Sequence, residues 1–438
     1  MNDYYARFIG RGDKIAVAVS GGSDSVALLH FLLHKSEKDG FSVFAVNVEH
    51  GIRGDRSRRD SAFVKELCEK WGVPLFAFSA DAPARAAREK ISLEHAAREE
   101  RYDVFCRLLA EKKADKIATA HHLGDNAETV LFHLLRGSSL KGAAGIPPSR
   151  DGIIRPFLTT PKAEITDYIR LHNLPYVEDE TNEDRKITRN FIRAEVLPRL
   201  KEIFPEGERA LLRFCEIARE EDAFLDDLAS PLTKEEGGAY RIPASAPRVL
   251  LRRAALSAMK RLGIRSEYAF AHVESVAALA DGGTGARVDL PDGVAAEREY
   301  GDIVLFPARE KPFFEVPFAA GVYRCGAGTL TVEPCAVDTA RARCGGGGSF
   351  YADADKLSGT LIRTRREGDV FRKFGGGSKK LKDYYIDEKI PRRLRDEMLL
   401  IARGKEILFA GTEISRDAKL DERTERAVKI TYETQRRR

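Results

Sequence analysis

Apolar and amphipathic stretches alternate along the first half of the chain. An unbroken apolar run, Ile15 to Val19, leads into SGGSDS, and VALLHFLLHK follows with apolar residues at helical spacing. The same order returns in SVFAVNV with SAFVKELCEKWG, in VPLFAFSA with the stretch 92–113, and in KIATAHH with AETVLFHLLRG. Strands that are apolar on both faces and alternate with helices predict a parallel sheet covered on both sides, with right-handed crossovers. We therefore expect a doubly wound α/β domain over residues 1–205, in which Thr160 as N-cap and Pro161 begin a further helix.

The pattern changes after residue 205. Apolar residues such as Leu211, Ile217 and Phe224 continue at helical spacing, and GARVDLPDGVAAEREYGDIVLF then alternates like a β-hairpin with a Pro-Asp-Gly turn. These features predict a mainly helical domain with a terminal hairpin over residues 206–310. Four consecutive glycines, Gly345 to Gly348, favour a linker over 311–350, and the mixed pattern beyond favours a small α+β domain over 351–438.

Length and composition narrow the class of protein. A chain of 438 residues exceeds one ordinary core, and 43% apolar with 32% charged residues is typical of a folded globular protein. No run approaches the roughly 18 apolar residues of a membrane helix, and MNDYYARFIG lacks the apolar centre of a signal peptide. We expect a cytoplasmic protein with no membrane partner.

Cysteine spacing argues against several kinds of metal and disulfide site, and the distribution of charge indicates one stretch that could bind a polyanion. The six cysteines include no CxxC pair, which argues against a zinc ribbon, an iron–sulfur cluster or a disulfide framework, and all six are expected to be inert thiols. The net charge is only +5, but Arg363 to Lys405 holds fourteen Lys or Arg against seven Asp or Glu. A polyanionic partner and a solvated surface both fit this stretch.

The segment SGGSDS, Ser20 to Ser25, has the features of a phosphate site. Gly21 and Gly22 let the backbone approach an anion closely, and the amides at the start of the following helix point toward it. The nucleotide loop of kinases and motor ATPases is excluded, because no GxxxxGK is present. An ordinary tight turn would explain one glycine, but not two glycines with three hydroxyls and an acid.

Polar side chains from two further strands are expected at the same edge of the sheet, where open α/β sheets bind ligands. Asp24 is a first-turn acid and a candidate magnesium ligand, since a divalent cation can bridge a carboxylate and the oxygens of bound phosphates. Asp125 could simply N-cap its helix with Glu128 completing a capping box, and the same two carboxylates could also hold magnesium or an amine. The residues expected to converge on the glycine loop are His50, Arg53, His121, His122, Asp125, Asn126 and Glu128.

Several blocks together resemble one family. SGGSDS is the signature of the PP-loop ATP pyrophosphatases. VEHGIRG, HAAREERYDVF, ATAHHLGDNAETVLFHLLRG, RPFLTTPKAEITDYI and VEDETNEDRKITRNFIRAEVLPRL are similar, in order, to blocks of the tRNA(Ile)-lysidine synthetases. The resemblance covers about the first 200 residues and resumes in RREGDVFRKFGGGSKKLKDYYIDEKIPRRLRDEMLLI. The glycine loop alone indicates only the superfamily, whereas the ordered blocks indicate the family.

The resemblance implies a ligase that uses ATP, with Mg²⁺, to modify the wobble cytidine of tRNA(Ile) with the anticodon CAU. ATP adenylates O2 of the base and releases pyrophosphate, and the ε-amine of free L-lysine then displaces AMP from C2. It implies an ATP cradle of Ser20, Gly21, Gly22, Ser23, Asp24 and Ser25 with His50 and His121, and catalytic roles for Asp24, Arg53, Asp125 and Glu128. Asp24 and Asp125 are the implied metal ligands, and the general base is left open.

Substrate-binding residues are predicted in three groups. Arg98, Arg101 and Tyr102 bind substrate or form a solvated arginine face around one buried aromatic, and Asn190 and Arg193 lie near the active site or only fix a helix. The basic stretch would contact RNA phosphates, which position an RNA without reading its sequence. Its candidates are Arg363, Arg365, Arg366, Arg372, Lys373, Lys379, Lys380, Lys382, Arg392, Arg393 and Arg395, with Tyr384 and Tyr385 either stacking on a nucleotide or lying in the core.

Other functions were weighed against this interpretation. A 2-thiocytidine synthetase would need paired cysteines, and a GMP or asparagine synthetase would need a glutamine-hydrolysing domain. A non-catalytic protein that binds ATP and RNA would not need the carboxylates of Asp24, Asp125 and Glu128 beside bound phosphates. The oligomeric state is left open, with a homodimer among the options.

Overall fold

The computed structural model describes residues 3–52, 55–178, 188–264, 270–308, 310–326, 328–342, 348–373 and 377–434. The chain divides into two compact units, Met1–Ala223 and Phe224–Arg438. No helix among these described residues is long and apolar enough to cross a membrane.

The first unit contains a six-stranded sheet in the order β3-β2-β1-β4-β6-β5, parallel except for the edge strand β5. This confirms the predicted doubly wound α/β fold. Its strands are β1 Lys14–Ala18, β2 Ser42–Glu49, β3 Leu75–Ser79, β4 Lys116–Ala118, β5 Ser149–Arg150 and β6 Ile153–Ile154. Its helices are α1 Ser23–Asp39, α2 Asp55–Trp71, α3 Ala82–Glu89, α4 Leu93–Ala110, α5 Leu123–Leu135, α6 Leu140–Ala143, α7 Lys162–Leu171, α8 Thr188–Phe191 and α9 Leu197–Ile203. The helix α10, Gly207–Ala229, follows.

Alternation along β1 explains why both faces of this sheet are covered. Ile15 and Val17 pack on one side with residues of α1 and α7, whereas Ala16 packs on the other with Phe105 and Leu108 of α4. Because the chain adds β2 and β3 on one side of β1 and β4 on the other, the strand order reverses between β1 and β4. A crevice at such a reversal, outside the carboxyl ends of the strands, is where this class of sheet binds ligands.

Asn126 was expected near the glycine loop, but its side chain is fully buried and forms hydrogen bonds within the core of the unit. Its Oδ1 accepts a hydrogen bond from the Ile146 amide at 2.8 Å, and its Nδ2 lies 3.5 Å from Cys215 Sγ. Gly145 passes directly over this side chain with φ of +63°. The side chain therefore ties α5 to the turn after α6 and to α10, and it does not belong to the ligand site.

We expect Gly145→Ala to destabilise the protein by about 2–4 kcal/mol. The new Cβ would lie inside van der Waals contact of Asn126 Oδ1 and 3.0 Å from Cys215 Sγ, in a left-handed backbone conformation. Gly72→Ala is the matched control, because Gly72 has φ of +67° but nothing within 4 Å, so only about 1–2 kcal/mol of backbone strain applies. Urea unfolding followed by circular dichroism measures both, and equal losses would show that the crowding around Asn126 is irrelevant.

The second unit begins with a five-stranded antiparallel sheet, β7-β8-β11-β10-β9, packed on two helices. Its elements are β7 Lys234–Glu236, β8 Ala239–Pro243, α11 Arg248–Arg261, α12 Phe270–Ala278, β9 Arg287–Leu290, β10 Val294–Glu299 and β11 Asp302–Pro307. The predicted hairpin is β9–β10, and it turns at Pro291–Gly293 with Asp292 at φ of +56°. The predicted segment also contains most of β11, which pairs with β10, and the sheet is larger than the sequence predicts because β7 and β8 join it.

Two further sheets complete the second unit, in the orders β12-β16-β19-β20-β17-β18 and β13-β14-β21-β15. Their strands are β12 Glu315–Pro317, β13 Gly321–Cys325, β14 Gly328–Cys335, β15 Ser349–Asp353, β16 Leu361–Arg363, β17 Val370–Arg372, β18 Ser378–Lys380, β19 Leu400–Arg403, β20 Glu406–Phe409 and β21 Ala427–Thr434. The helices are α13 Val337–Ala342, α14 Leu381–Asp387 and α15 Arg392–Arg395.

The stretch 311–350 differs from the predicted linker. Three strands lie in it, and β14 pairs with β21 along its whole length, from Gly328 opposite Thr434 to Cys335 opposite Ala427. Alternate residues of β14 are buried, with Leu330 and Val332 in the core of the two sheets. Most of the four-glycine run lies outside the described residues.

Candidate active site

The glycine loop joins β1 to α1 at the carboxyl edge of the parallel sheet. Gly21 has φ of +93°, and Gly22 caps α1 without a side chain, so no cap side chain competes with an anion for the amides at the start of α1. Ser25 Oγ donates to the Gly22 carbonyl at 2.8 Å and accepts from the Ser20 amide at 3.2 Å. The loop is therefore held closed by its own hydroxyl in the shape of a phosphate cradle.

Asp24 lies in the first turn of α1 and faces two cationic or polar neighbours. The ammonium of Lys162 contacts its Oδ1 and lies 3.3 Å from Ser23 Oγ. His122 Nε2 lies 3.9 Å from Oδ2, and the carboxylate is 30% exposed. A carboxylate at the mouth of the cradle that already holds a cationic group is a suitable ligand for a divalent cation.

The loop after β4 corrects a predicted helix cap. His122, not Asp125, is the N-cap of α5, because its Nδ1 accepts from the amides of Gly124 at 3.1 Å and Asp125 at 3.3 Å. Asp125 Oδ2 accepts from the His122 amide at 3.0 Å, so the capping-box partner is Asp125 and not Glu128. Glu128 therefore does not cap the helix, and its carboxylate contacts Arg193 instead.

Asp125 and Glu128 form an acidic pair that shares one arginine. Arg193 Nη2 lies 2.7 Å from Glu128 Oε2 and 3.2 Å from Asp125 Oδ1. Burial raises the pKa of the Glu128 carboxyl, while the Arg193 charge opposes that rise. Two carboxylates facing one guanidinium carry a net negative charge, which suits a further cation.

Arg193 reaches this pair from a π-helical turn, Ile192–Val196, that follows α8. Such turns are frequent at functional sites, because the extra residue redirects side chains. Asn190 precedes this turn in α8. Arg193 therefore contacts the acidic pair, and its substrate-binding role and that of Asn190 stay predictions.

Two histidines lie at the same edge, and both are neutral at ordinary pH. Burial lowers the pKa of His121 to about 4 and that of His50 to about 4. Thr119 Oγ1 lies 3.0 Å from His121 Nδ1, whereas the buried Nδ1 of His50 has no hydrogen-bond partner among the described residues. Neutral rings of this kind can accept or donate one hydrogen bond or pack against a base.

Arginines surround these histidines. The charges of Arg98, Arg101 and Arg155 all contribute to the lowered pKa of His121. Arg98 donates to the Tyr102 hydroxyl at 3.2 Å, with its guanidinium 4.8 Å from the ring centre. Arg155 is only 4% exposed, and its Nε lacks a partner among the residues described. Arg98, Arg101 and Arg155, which we call the electropositive rim, therefore lie beside the acidic pair.

Arg155 and Lys162 were not predicted as functional residues. Both lie in RPFLTTPKAEITDYI, which follows β6 and reaches the site from across the sheet. The helix α7 begins at Lys162 with Pro161 as N-cap, so the predicted cap, Thr160, lies one residue before the observed one. A cation directly after the end of a parallel strand is a signal that could have found Arg155, whereas Lys162 lies farther on, at the start of α7. Arg53 lies outside the described residues.

The basic stretch of the second unit is more strongly paired than its composition suggests. Arg363 is 1% exposed and forms a buried two-point ion pair with Asp369, at 2.9 and 2.7 Å, so its predicted RNA contact is wrong. Burial of Tyr384 and Tyr385, at 3% and 0% exposure, places both in the core and excludes the stacking alternative.

Other predicted RNA-binding residues also have carboxylate partners. Arg365 binds Asp396 at 2.9 Å, Arg366 pairs with Glu315, and Lys379 pairs with Asp387. Lys373 pairs with Glu388 at 3.0 Å, and Arg372 lies 3.5 Å from Asp417.

The arginines of α15 are used mainly inside the unit. Arg393 binds the buried Glu299 at 2.7 Å, while Arg392 and Arg395 donate to the carbonyls of Gly285 and Ile390. Lys379, Lys380 and Lys382 are exposed. These three lysines, which we call the lysine patch, are all exposed and lie within four consecutive positions of the chain.

The cysteines of the described residues form no metal-binding cluster. The five cysteines in the described part of the chain are free thiols, of which Cys106 is exposed, and Cys344 lies outside it. Within the same residues no group of three or more His, Cys, Asp or Glu side chains is arranged to hold a metal ion.

Comparison with known proteins matches both ends of the chain. The PP-loop domain family matches residues 3–200, and the TilS substrate C-terminal domain family matches residues 361–431. The tRNA(Ile)-lysidine synthase of Dehalococcoides mccartyi is 35% identical, with 97% of this chain and 96% of that protein covered. The tRNA(Ile)-lysidine synthase of Caldanaerobacter subterraneus is 33% identical, with 97% and 94% covered.

A solved structure is similar at a lower level. The U34-tRNA thiolase of Methanococcus maripaludis is 21% identical with a TM-score of 0.42, over 49% of this chain and 75% of that one. The full-length relatives, and not this structure, decide the family.

Proposed function

This chain belongs to the tRNA(Ile)-lysidine synthase family, and we propose that it joins free L-lysine to C2 of the wobble cytidine in tRNA(Ile) with the anticodon CAU. In the first step, O2 of the base attacks the α-phosphorus of ATP and pyrophosphate leaves. In the second step, the ε-amine of lysine attacks C2, the C2–O2 bond breaks with loss of AMP, and the amine gives up a proton. The observation that carries the proposal is the meeting of a phosphate cradle and an acidic pair at one sheet edge, in a chain that matches these relatives from end to end.

Ser20 to Ser25 bind the ATP phosphates in this proposal, and Asp24 holds Mg²⁺ against them. Mg²⁺ is usually bound by one or two carboxylates together with substrate phosphates, and it neutralises charge on the leaving pyrophosphate. The ion pair of Asp24 with the Lys162 ammonium supports this role, because the carboxylate already pairs with a cation at the mouth of the cradle. Asp125 is a second candidate ligand, although both of its oxygens already have partners.

Asp125 and Glu128 bind the lysine side chain in this proposal. With Arg193 they carry a net charge of one negative unit, which the ammonium group of a substrate lysine would balance. A buried carboxylate left without its partner is costly, so such a pocket discriminates strongly for a cation. Arg53, which lies outside the described residues, stays a prediction as a ligand of transition-state phosphate charge.

The electropositive rim binds the anticodon nucleotide in this proposal. Arg98, Arg101 and Tyr102 offer charge and an aromatic face, and neutral His50 and His121 offer hydrogen bonds to a base edge. Single-stranded anticodon bases are recognised by such stacking and edge contacts. Asn190, which lies in α8 before Arg193, is assigned to the same substrate surface.

RNA phosphates bind the lysine patch in this proposal, and its removal should reduce the salt dependence of tRNA affinity. Changing Lys379, Lys380 and Lys382 to Gln should lower the slope of log affinity against log salt by about 2–3, since each lost phosphate contact contributes roughly 0.7–0.9. Filter binding of a tRNA(Ile) transcript at several salt concentrations measures the slope. Changing Lys234, an exposed lysine of β7, serves as the control, and an unchanged slope in the triple variant would make the patch a solvated surface.

The reaction itself is tested by incorporation of labelled lysine into an unmodified tRNA(Ile) transcript with ATP and Mg²⁺. A methionine tRNA transcript with the same anticodon is the control. Labelling of the first transcript alone supports both the reaction and its specificity. Release of pyrophosphate without labelling would keep the adenylating chemistry and reject lysine as the nucleophile.

A further inference from the structure

Lys162 is the first residue of α7, and its ammonium lies over the glycine loop. We propose that Lys162 is a further catalytic residue, one that neutralises Asp24 in the nucleotide-free enzyme and the pyrophosphate end of ATP in the loaded enzyme. The contacts that support this are those of Nζ with Asp24 Oδ1 and, at 3.3 Å, with Ser23 Oγ. The inference rests on the proposed function, because it assigns a partner to the same phosphate cradle.

The backbone of Lys162 is held in place from both sides. The Thr160 carbonyl accepts from the Leu123 amide at 3.1 Å, which ties the residues before α7 to the start of α5. Ile165 and Ile169 of α7 are buried in the core that also contains α1. The Cα position is therefore fixed relative to the loop, while a four-carbon stem lets the ammonium move between neighbouring anions.

Charge explains why the cradle needs a cation from elsewhere. SGGSDS carries an acid but no lysine, so an incoming triphosphate meets the negative charge of Asp24. Asp24 would hold Mg²⁺ in the loaded enzyme, and the Lys162 ammonium, which already lies 3.3 Å from Ser23 Oγ, would then be free to pair with the phosphates that the loop binds. When the bond between the α-phosphorus and the bridging oxygen breaks, pyrophosphate takes the electron pair, and a fixed ammonium stabilises the charge that develops there.

A purely structural ion pair would not account for this arrangement. Lys162 is 46% exposed in its side chain, and exposed pairs of this kind contribute about 0–1 kcal/mol. Asp24 also lies in the first turn of α1, where the helix dipole already favours an acid. The ion pair with Lys162 is thus not needed to keep Asp24 in place. We therefore assign the Lys162 ammonium to binding the phosphates of the ligand.

The test compares the full-length enzyme with Lys162→Met, which keeps the length of the side chain and removes its charge. Titration calorimetry should show magnesium pyrophosphate binding weakened about tenfold or more, with AMP binding within about twofold, because AMP lacks the phosphates that Lys162 contacts. Single-turnover release of pyrophosphate with tRNA(Ile) should fall by about 10²-fold. Lys162→Arg should recover part of both losses, since it restores the charge.

Lys116→Met is the matched control. Lys116 pairs with Asp13 at 2.5 Å at the opposite edge of the same sheet, so its loss removes a comparable ion pair away from the loop. Wild-type pyrophosphate affinity in Lys162→Met, or equal weakening of pyrophosphate and AMP, would overturn the proposal. If the wild-type enzyme fails to form lysidine while Lys162→Met still loses pyrophosphate affinity selectively, the proposed function fails and the role of Lys162 stands.

Discussion

Asp24→Asn should reduce ATP-dependent pyrophosphate release by on the order of 10³-fold, equivalent to about 4 kcal/mol of transition-state stabilisation. The substitution keeps the size of the side chain and removes the charge that holds a divalent cation at the mouth of the cradle. Asp24 is partly exposed in the first turn of α1, so its loss should leave the fold intact. Single-turnover release of pyrophosphate, measured at saturating ATP and tRNA(Ile), reports the effect.

Two further measurements separate chemistry from binding in this variant. Affinity for tRNA(Ile) should stay within about twofold, because RNA binding depends on phosphate contacts made by cationic residues elsewhere. Asp13→Asn is the control, since Asp13 forms a similar pair with Lys116 at the amino edge of the same sheet. Full activity of Asp24→Asn would remove Asp24 from the metal site and leave the cradle to bind phosphate through its backbone alone.

The fold of the first unit could be predicted because neighbouring residues determine each of its elements. Ile15 to Val19, the glycine loop and α1 follow one another directly in the sequence, and parallel topology then brings the carboxyl ends of the strands to one edge of the sheet. The same reasoning placed Asp24, His121, Asp125 and Glu128 at one edge. It failed for the cap of α5, because His122 uses a ring nitrogen where a carboxylate was expected.

The second unit was harder to predict because its strands pair over long distances in sequence. β14 finds its partner in β21, nearly one hundred residues later, so nothing near residues 328–335 shows that they form a central strand. A different limitation affected the basic stretch. Asp369 lies only six residues after Arg363, but the sequence does not show that this pair is buried, so Arg363 looks like one more surface cation.

Lys162 and Arg155 show a third limit. Arg155 directly follows the short strand β6, Lys162 lies one loop beyond it, and neither belongs to a recognised phosphate motif. Their importance depends on where β6 lies in the sheet, because that position sends the following loop across the carboxyl edge toward α1 and α5. A Lys or Arg that follows a parallel strand is therefore a candidate ligand-binding residue in α/β sequences, but only the three-dimensional structure identifies the group that it contacts.

Glu128→Gln should raise the KM for lysine by about 10²-fold while leaving the first release of pyrophosphate within a few fold. The amide keeps the shape of the side chain and a hydrogen bond to Arg193, but it removes one of the two charges that balance Arg193 and the substrate ammonium. Loss of one partner from a buried charge pair costs about 2–5 kcal/mol, which covers the expected change. Labelled lysine incorporation at varied lysine concentration gives KM, and a pyrophosphate burst reports adenylation separately.

The pH dependence gives this prediction a second readout. Burial raises the pKa of Glu128, so its charge is lost at a higher pH than that of an exposed glutamate as the solution is acidified. The KM for lysine should therefore rise as pH falls in the wild-type enzyme, and this rise should be weaker in Glu128→Gln, which has no charge to lose. Glu299→Gln is the matched control, because Glu299 is equally buried and paired with Arg241 and Arg393 but lies in the second unit. If Glu128→Gln instead loses the pyrophosphate burst with an unchanged KM for lysine, the carboxylate serves adenylation and the lysine pocket must be sought elsewhere.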